Sequence, residues 1–252
     1  MKEKDCEMML NKARNYESQA TDTVAGQEYI EKAADNLKDA GDCYFKVNNY
    51  EMALKCYSEA LVHHKKLNYT VSVAMDSEGI ARCYQNLGNM ESSKKFMEQA
   101  AGIYADQGEK MTMAGNLVSA ALLYGDAAIA YKALANLDNF KNYFESAAQN
   151  YLGYADILLE ENDYGYAAGN LGWASICYFS ISNHDEAVKN ANKALDICEN
   201  NSITDDNYEL ATLSKAIFDG DLQRAKQSFN KIKNNLSETE IKIINQSLQI
   251  LE

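Results

Sequence analysis

The sequence predicts an all-α protein, a right-handed α-α superhelix of about four to five antiparallel helix pairs with capping helices. Three observations carry that prediction. None of the 252 residues is proline, so no helix interior loses a backbone hydrogen bond to a pyrrolidine ring. Small and aromatic residues recur at spacings of three and four, which places them on one helical face. The pattern of Ala34 to Leu61 then returns about forty residues later, the mark of a solenoid that grows by adding units.

Taken in order, Lys2 to Ala20 reads as a leading helix with Cys6, Met9, Leu10, Ala13 and Tyr16 on one side, capping the open end of the stack. Thr21 to Gly26 is a short polar loop. The first helix of the first pair, Gln27 to Lys46, aligns Leu37, Ala40, Gly41 and Tyr44. Ala40 and Gly41 leave room for a neighbouring helix, and Tyr44 is expected to cover the gap one turn later. Asn48 and Asn49 stop that helix and cap the next, because a short amide accepts from exposed first-turn N–H groups. The return helix presents Tyr50, Ala53, Tyr57 and Ala60. These are tetratricopeptide (TPR) positions.

The second pair sets Ser77, Ile80, Ala81, Tyr84 and Leu87 in the first-helix places, turns at Gly88-Asn89, and returns through Met90, Ser93, Met97 and Ala100. A forty-residue step exceeds the usual period of about 34, so the helices are expected to be long, with Leu61 through His63, His64, Lys65 and Lys66 extending the first return helix. Gly108 is expected to end the second. Ala114 to Tyr124, AGNLVSAALLY, and Ala168 to Tyr178, AGNLGWASICY, share their first four residues and their last. That likeness puts Tyr124 and Tyr178 in the role of Tyr44; a second register gives the role to Tyr131, and both stay open. In the first register about seven extra residues, two helical turns, separate Tyr124 from Ala147. The return helices carry Phe140, Phe144 and Ala147, then Ala187, Ala191 and Ala194. After a polar loop at 200–206, a weaker fifth unit holds Leu213, Ala216 and Ile217, a turn at Asp219-Gly220-Asp221, then Leu222, Ala225, Phe229 and Ile232. Ser237 with Glu240 forms a capping box before a last amphipathic helix. The chain is thus read as one solenoid over 1–252, with a cap at 1–26, four long pairs at 27–199 and a C-terminal helical bundle at 207–252.

Composition narrows the function classes. A formal net charge of −13 opposes general binding to nucleic acid or anionic membrane, which needs a basic surface. No apolar run of about 18 residues is present, and the charged N-terminus is unlike a signal peptide, so a soluble, cytoplasmic protein is expected. Cys43, Cys56, Cys83 and Cys177 each precede a tyrosine without CxxC spacing and are expected to be core thiols. His63, His64 and His184 form no catalytic or metal motif, and no glycine-rich phosphate loop occurs. No enzyme activity, metal or cofactor is expected. Glu160-Glu161-Asn162-Asp163 reads as a solvated turn. Trp173 reads as a core residue beside Cys177, with ligand stacking as the alternative.

The long TPR-like pairs, IYADQG followed by NLVSAALLY, and LSKAIFDGDLQRAKQSFNKI from Leu213 to Ile232 resemble the soluble NSF attachment protein (SNAP) family, and the gamma-type members in particular. The resemblance runs from about Gln27 to the C-terminus. It implies an adaptor that lies along a SNARE helical bundle and recruits an NSF-type AAA ATPase to disassemble it in vesicle trafficking. The adaptor would be a monomer when free and would meet membranes only through its partners. The family's penultimate leucine stands here as Leu251, with Leu248 and Ile250 before it, as candidate ATPase contacts. QSLQI replaces the family's acidic run, and the family's SNARE-facing lysines align with uncharged Gly115, Ala168 and Gly172. TDTVAGQ, at the family's membrane-touching loop, has no aromatic residue. Candidate SNARE contacts are therefore Lys46, Lys94, Lys95, Lys110 and Lys132. The alternative is a generic TPR scaffold holding a peptide in its groove; Asn116 and Asn170 suit a carboxylate clamp, but the cations such a clamp needs are absent. A phosphopeptide binder of the 14-3-3 class lacks the required arginine and tyrosine cluster.

Overall fold

The computed structural model describes residues 3–21 and 23–252. Helices α1 (Glu3–Gln19), α2 (Val24–Lys46), α3 (Tyr50–Leu67), α4 (Thr70–Asn86), α5 (Met90–Met113) and α6 (Leu117–Ala133) are followed by α7 (Leu137–Glu160), α8 (Tyr164–Ser180), α9 (His184–Asn200), α10 (Asp206–Phe218), α11 (Leu222–Ile232) and α12 (Glu238–Leu251). No strand occurs among the described residues, and the fold is all-α with TPR-like helix pairs. The expected helix start at Lys2 and Asp22 of the polar loop lie outside the described residues. α2 begins at Val24 rather than Gln27, because Thr23 caps it by accepting from the Gly26 N–H at 3.1 Å. Contacts divide the chain into two compact units, Met1–Tyr104 and Ala105–Glu252.

One turn recurs in both units. The carbonyls of Tyr44, Tyr84, Tyr131 and Tyr178 each accept, at 2.9 Å, from the N–H of an asparagine five residues on: Asn49, Asn89, Asn136 and Asn183. The residue before each asparagine has positive φ, as Asn48, Gly88, Ala135 and Ser182. This is a helix C-cap of the Schellman type. Each asparagine then accepts from an N–H three residues on, so one residue closes one helix and opens the next. The tyrosine register is thereby decided in favour of Tyr131. Tyr44 to Ala60, Tyr84 to Ala100, Tyr131 to Ala147 and Tyr178 to Ala194 are all sixteen residues apart, so no insertion lies there. The extra length is in α5 and α7, 24 residues each against 18 in α3.

The AGNL likeness misleads for a physical reason. Asn116 is the N-cap residue of α6, whereas Asn170 lies in the middle of α8, whose own N-cap is Asp163. The two phrases are therefore seven residues out of step. Seven residues are close to two helical turns, so the shift preserves the buried face and the phrases match without being equivalent.

In the first unit α1 packs on α2, α2 on α3, and α4 on both α3 and α2. The gap beside Gly41 is filled by Tyr57 of α3 rather than by Tyr44. A Cβ at Gly41 would lie 2.9 Å from that ring and one at Gly79 2.8 Å, so Tyr57 is clasped between glycines of α2 and α4. Its hydroxyl donates to Asp42. Cys43 is not a free thiol: it is bonded to Cys6, with Cα atoms 5.4 Å apart. The pairing joins α1 to α2 and is of a kind that reducing compartments disfavour. Cys56, Cys83, Cys177 and Cys198 are buried and free. Burial pushes Cys56 up to about 11 and Cys83 up to about 12, so neither supplies thiolate at neutral pH.

In the second unit α6 to α10 pack successively, and α8 also touches α10 directly. Phe144, Tyr151, Ile176, Leu213 and Ile217 fill its centre. Gly108 does not end a helix: α5 runs through it to Met113, and the left-handed residue is Gly115 at φ 77°. Gly108 is a packing glycine, where a Cβ would meet the Tyr124 ring at 2.8 Å. Ser237 and Glu240 form the expected capping box of α12.

Candidate partner-binding surface

The first helices α6, α8 and α10 of the second unit share a face, and α12 folds back onto it. Gly125 of α6 makes the notch that receives Ile243, whose Cδ1 would sit 2.7 Å from a Cβ there. Ile244 and Leu248 complete the apolar contact. The flanks are polar. Thr239 donates to Asp126 at 2.7 Å, Lys242 stands 3.6 Å from the same carboxylate, and the Ser180 and Ser247 hydroxyls are 2.8 Å apart. This face accepts an amphipathic helix, which is how grooves between helices recognise partners.

Beside α12 the same face opens into a cleft of about 520 Å³, a size typical of ligand pockets. Tyr151, Gly169, Asn170, Trp173, Leu210 and Ile232 are its buried lining residues, and Tyr166, 63% exposed, stands on its rim. The Tyr151 and Trp173 rings stack with centroids 6.1 Å apart. The Tyr151 hydroxyl has no hydrogen-bond partner among the described residues, although the residue is 1% exposed. Burial, and then the nearby Cys177, Glu240 and Asp126, hold this phenol well above its ordinary pKa, so it stays neutral.

The first unit encloses a different polar group. His64 of α3 and Asp76 of α4 are both fully buried, with Nδ1 2.7 Å from Oδ2. Asp35 lies 3.6 Å from the other ring nitrogen. Burial alone would lower the His64 pKa, but the Asp76 hydrogen bond and charge, then Asp35, outweigh it and raise the value. Burial raises Asp76 too, and His64 offsets that only in part. Both directions favour keeping a proton on the pair. His63, one residue earlier, points to Glu17 at 2.8 Å.

Residues 79–107 match the tetratricopeptide repeat family. The matched segment holds Tyr84, the Gly88-Asn89 turn and Ala100, the set that recurs around Tyr44, Tyr131 and Tyr178. No curated protein matches the chain. Among solved structures, the crystal structure of BtubC (BKLC) from P. vanneervenii aligns with a TM-score of 0.48 and 19% identity, over 92% of this chain and 88% of that one. A tetratricopeptide repeat supports a role as a protein-interaction scaffold.

The expected contact residues fall in both units. Lys94 is exposed beside Glu98 at 3.8 Å, Lys95 and Lys46 are exposed, and Lys110 is paired with Asp106 at 2.6 Å. Lys132 lies over the Phe140 ring at 5.5 Å. Of the C-terminal set, Leu248 is buried in the core, Leu251 is half-buried against it, and Ile250 is 48% exposed. Sequence reasoning missed His64–Asp76 and the cleft. The histidine had left a signal, since Tyr57, Ala60, Leu61 and His64 continue one buried face at steps of three, one and three. Trp173 packs in the core with Cys177, as expected, and also lines the cleft. Among the described residues no helix is long and apolar enough to cross a membrane.

Proposed function

We propose that this chain is a protein-interaction scaffold for helical partners and, more finely, a SNAP-like adaptor that holds a SNARE bundle and recruits an NSF-type ATPase. It would act in the cytoplasm and reach membranes only through those partners. The observation that carries the scaffold reading is α12, an amphipathic helix already seated in the Gly125 notch of the first-helix face. Two features support the finer reading. α5 and α7 are long enough to present extended helical surfaces. LSKAIFDGDLQRAKQSFNKI, the segment most like the SNAP family, folds as the α10–α11 pair next to α12.

The test is association of the purified chain with a four-helix SNARE bundle and with its cognate NSF-like ATPase. Retention of the bundle together with a faster ATP hydrolysis rate is expected; neither response would end the SNAP reading. Deleting Leu251-Glu252 should abolish the ATPase response while bundle retention persists. The match at residues 79–107 also favours a generic scaffold that binds a peptide. A chain that ignores the SNARE bundle but selects a defined peptide would establish that second reading.

A further inference from the structure

The cleft beside α12 has a lining that selects for one kind of chemistry. We propose that it binds a guanidinium group on an apolar stem, as an arginine side chain of a partner protein presents it. Tyr151, Tyr154, Tyr166 and Trp173 supply aromatic surface, and among the described residues no lysine, arginine or histidine lines the cleft. A planar guanidinium stacks on such rings and is less strongly hydrated than an ammonium.

Several side-chain oxygens of the lining are left as acceptors, beside donors such as the Trp173 indole N–H. Asn170 uses one amide N–H on the Tyr166 carbonyl at 2.8 Å, which leaves its side-chain oxygen as an acceptor. Asn207 turns its Nδ2 toward Asp205 and holds its own side-chain oxygen close over Gly169, where a Cβ would collide with it. Asp206 accepts from Asn235 through one oxygen, and Glu240 accepts from the Ser237 N–H through one oxygen. Each carboxylate keeps its second oxygen. The Tyr151 hydroxyl is buried and unpartnered. A guanidinium brings five donors and no acceptor, so it can satisfy these groups together. An anion would face the Asp206 and Glu240 carboxylates, a repulsive arrangement. The net charge of −13 draws cations toward the chain. This site lies beside α12 and does not depend on which helical partner the scaffold takes.

Trp173 is the only tryptophan of the chain, so its emission reports on the cleft in the intact protein. The probes are a capped Gly-Arg-Gly peptide, its citrulline counterpart and ethylguanidinium. The arginine peptide should produce a saturable change in Trp173 emission, and the neutral citrulline peptide should bind at least about tenfold more weakly. Ethylguanidinium binding as tightly as the peptide would identify a free small guanidine as the ligand. Tighter peptide binding would identify a partner's side chain. Glu240→Gln combined with Asp206→Asn should weaken the peptide by about tenfold or more, with unchanged circular dichroism because glutamine also completes a capping box. No saturable response to either guanidinium, equal binding of citrulline, or an unaffected double variant would each overturn the assignment.

Discussion

His64 and Asp76 in the first unit occupy the same repeat positions as Tyr151 and Asn170 in the second. His64 follows Ala60 by four residues and Tyr151 follows Ala147 by four; Asp76 precedes Tyr84 by eight and Asn170 precedes Tyr178 by eight. In the first unit the two side chains bond to each other and close the space between α3 and α4. In the second, Tyr151 keeps an unpartnered hydroxyl, Asn170 turns its amide to the backbone, and both line a cleft. These two helix pairs thus place polar side chains at matching inward positions. Filled with mutually satisfying charges such a position is structural; filled with groups that do not satisfy each other it becomes a site.

The sharpest way to break this contrast is to orphan the charge in the first unit. Asp76→Ala leaves His64 buried with Asp35 as its nearest carboxylate, 3.6 Å away. Removing one partner of a buried pair costs about 3 to 5 kcal/mol, and urea unfolding should show a loss of that order. Replacing both by leucine, in His64→Leu/Asp76→Leu, should cost less than Asp76→Ala alone, because no lone charge remains. A double variant as unstable as the single one would mean that the pair is worth more than an apolar filling.

A smaller effect follows from pH. The folded-state pKa of His64 is raised, so its contribution is fully present below its ordinary value of about 6.5 and is lost as pH climbs through the raised value. Asp76, also raised, acts in the same direction, its contribution falling as pH rises from the ordinary carboxylate range. The urea midpoint of the wild type should therefore fall as pH rises above about 6.5, while the double leucine variant should be flatter over the same range. A wild-type midpoint no steeper than the variant's would remove the pair as the source.

How far these features were legible depended on how local their causes are. Tyrosine, a positive-φ residue and asparagine in sequence determine each turn through backbone bonds spanning five residues, so helix pairs and all but one register could be read from Tyr44, Tyr84 and Tyr178. The exception, Tyr124 against Tyr131, arose because a seven-residue shift leaves a helical face nearly unchanged. Gly108 was misread because a glycine that admits a neighbouring ring and a glycine that ends a helix look alike in one dimension. Cys6–Cys43 and His64–Asp76 pair residues on different helices, a relation that spacing along one helix does not encode. The cleft was least legible of all, since it exists only once α10, α11 and α12 fold back beside α8.

Tyr151→Phe gives the mildest test and the one that most directly separates the two uses of the shared position. The Tyr151 hydroxyl is buried without a partner, and an unmade hydrogen bond of that kind costs about 1 to 3 kcal/mol. Deleting the oxygen leaves the ring and its stack on Trp173 in place. Stability should therefore hold or rise by up to about 1 kcal/mol, the opposite of the outcome at Asp76. Binding of the arginine peptide, followed by Trp173 emission, should weaken in the same variant. Stability gained while binding is lost is the pattern of a polar group kept for a ligand rather than for the fold. A clear loss of stability instead would mean that the hydroxyl is satisfied within the protein, and the second unit would then resemble the first.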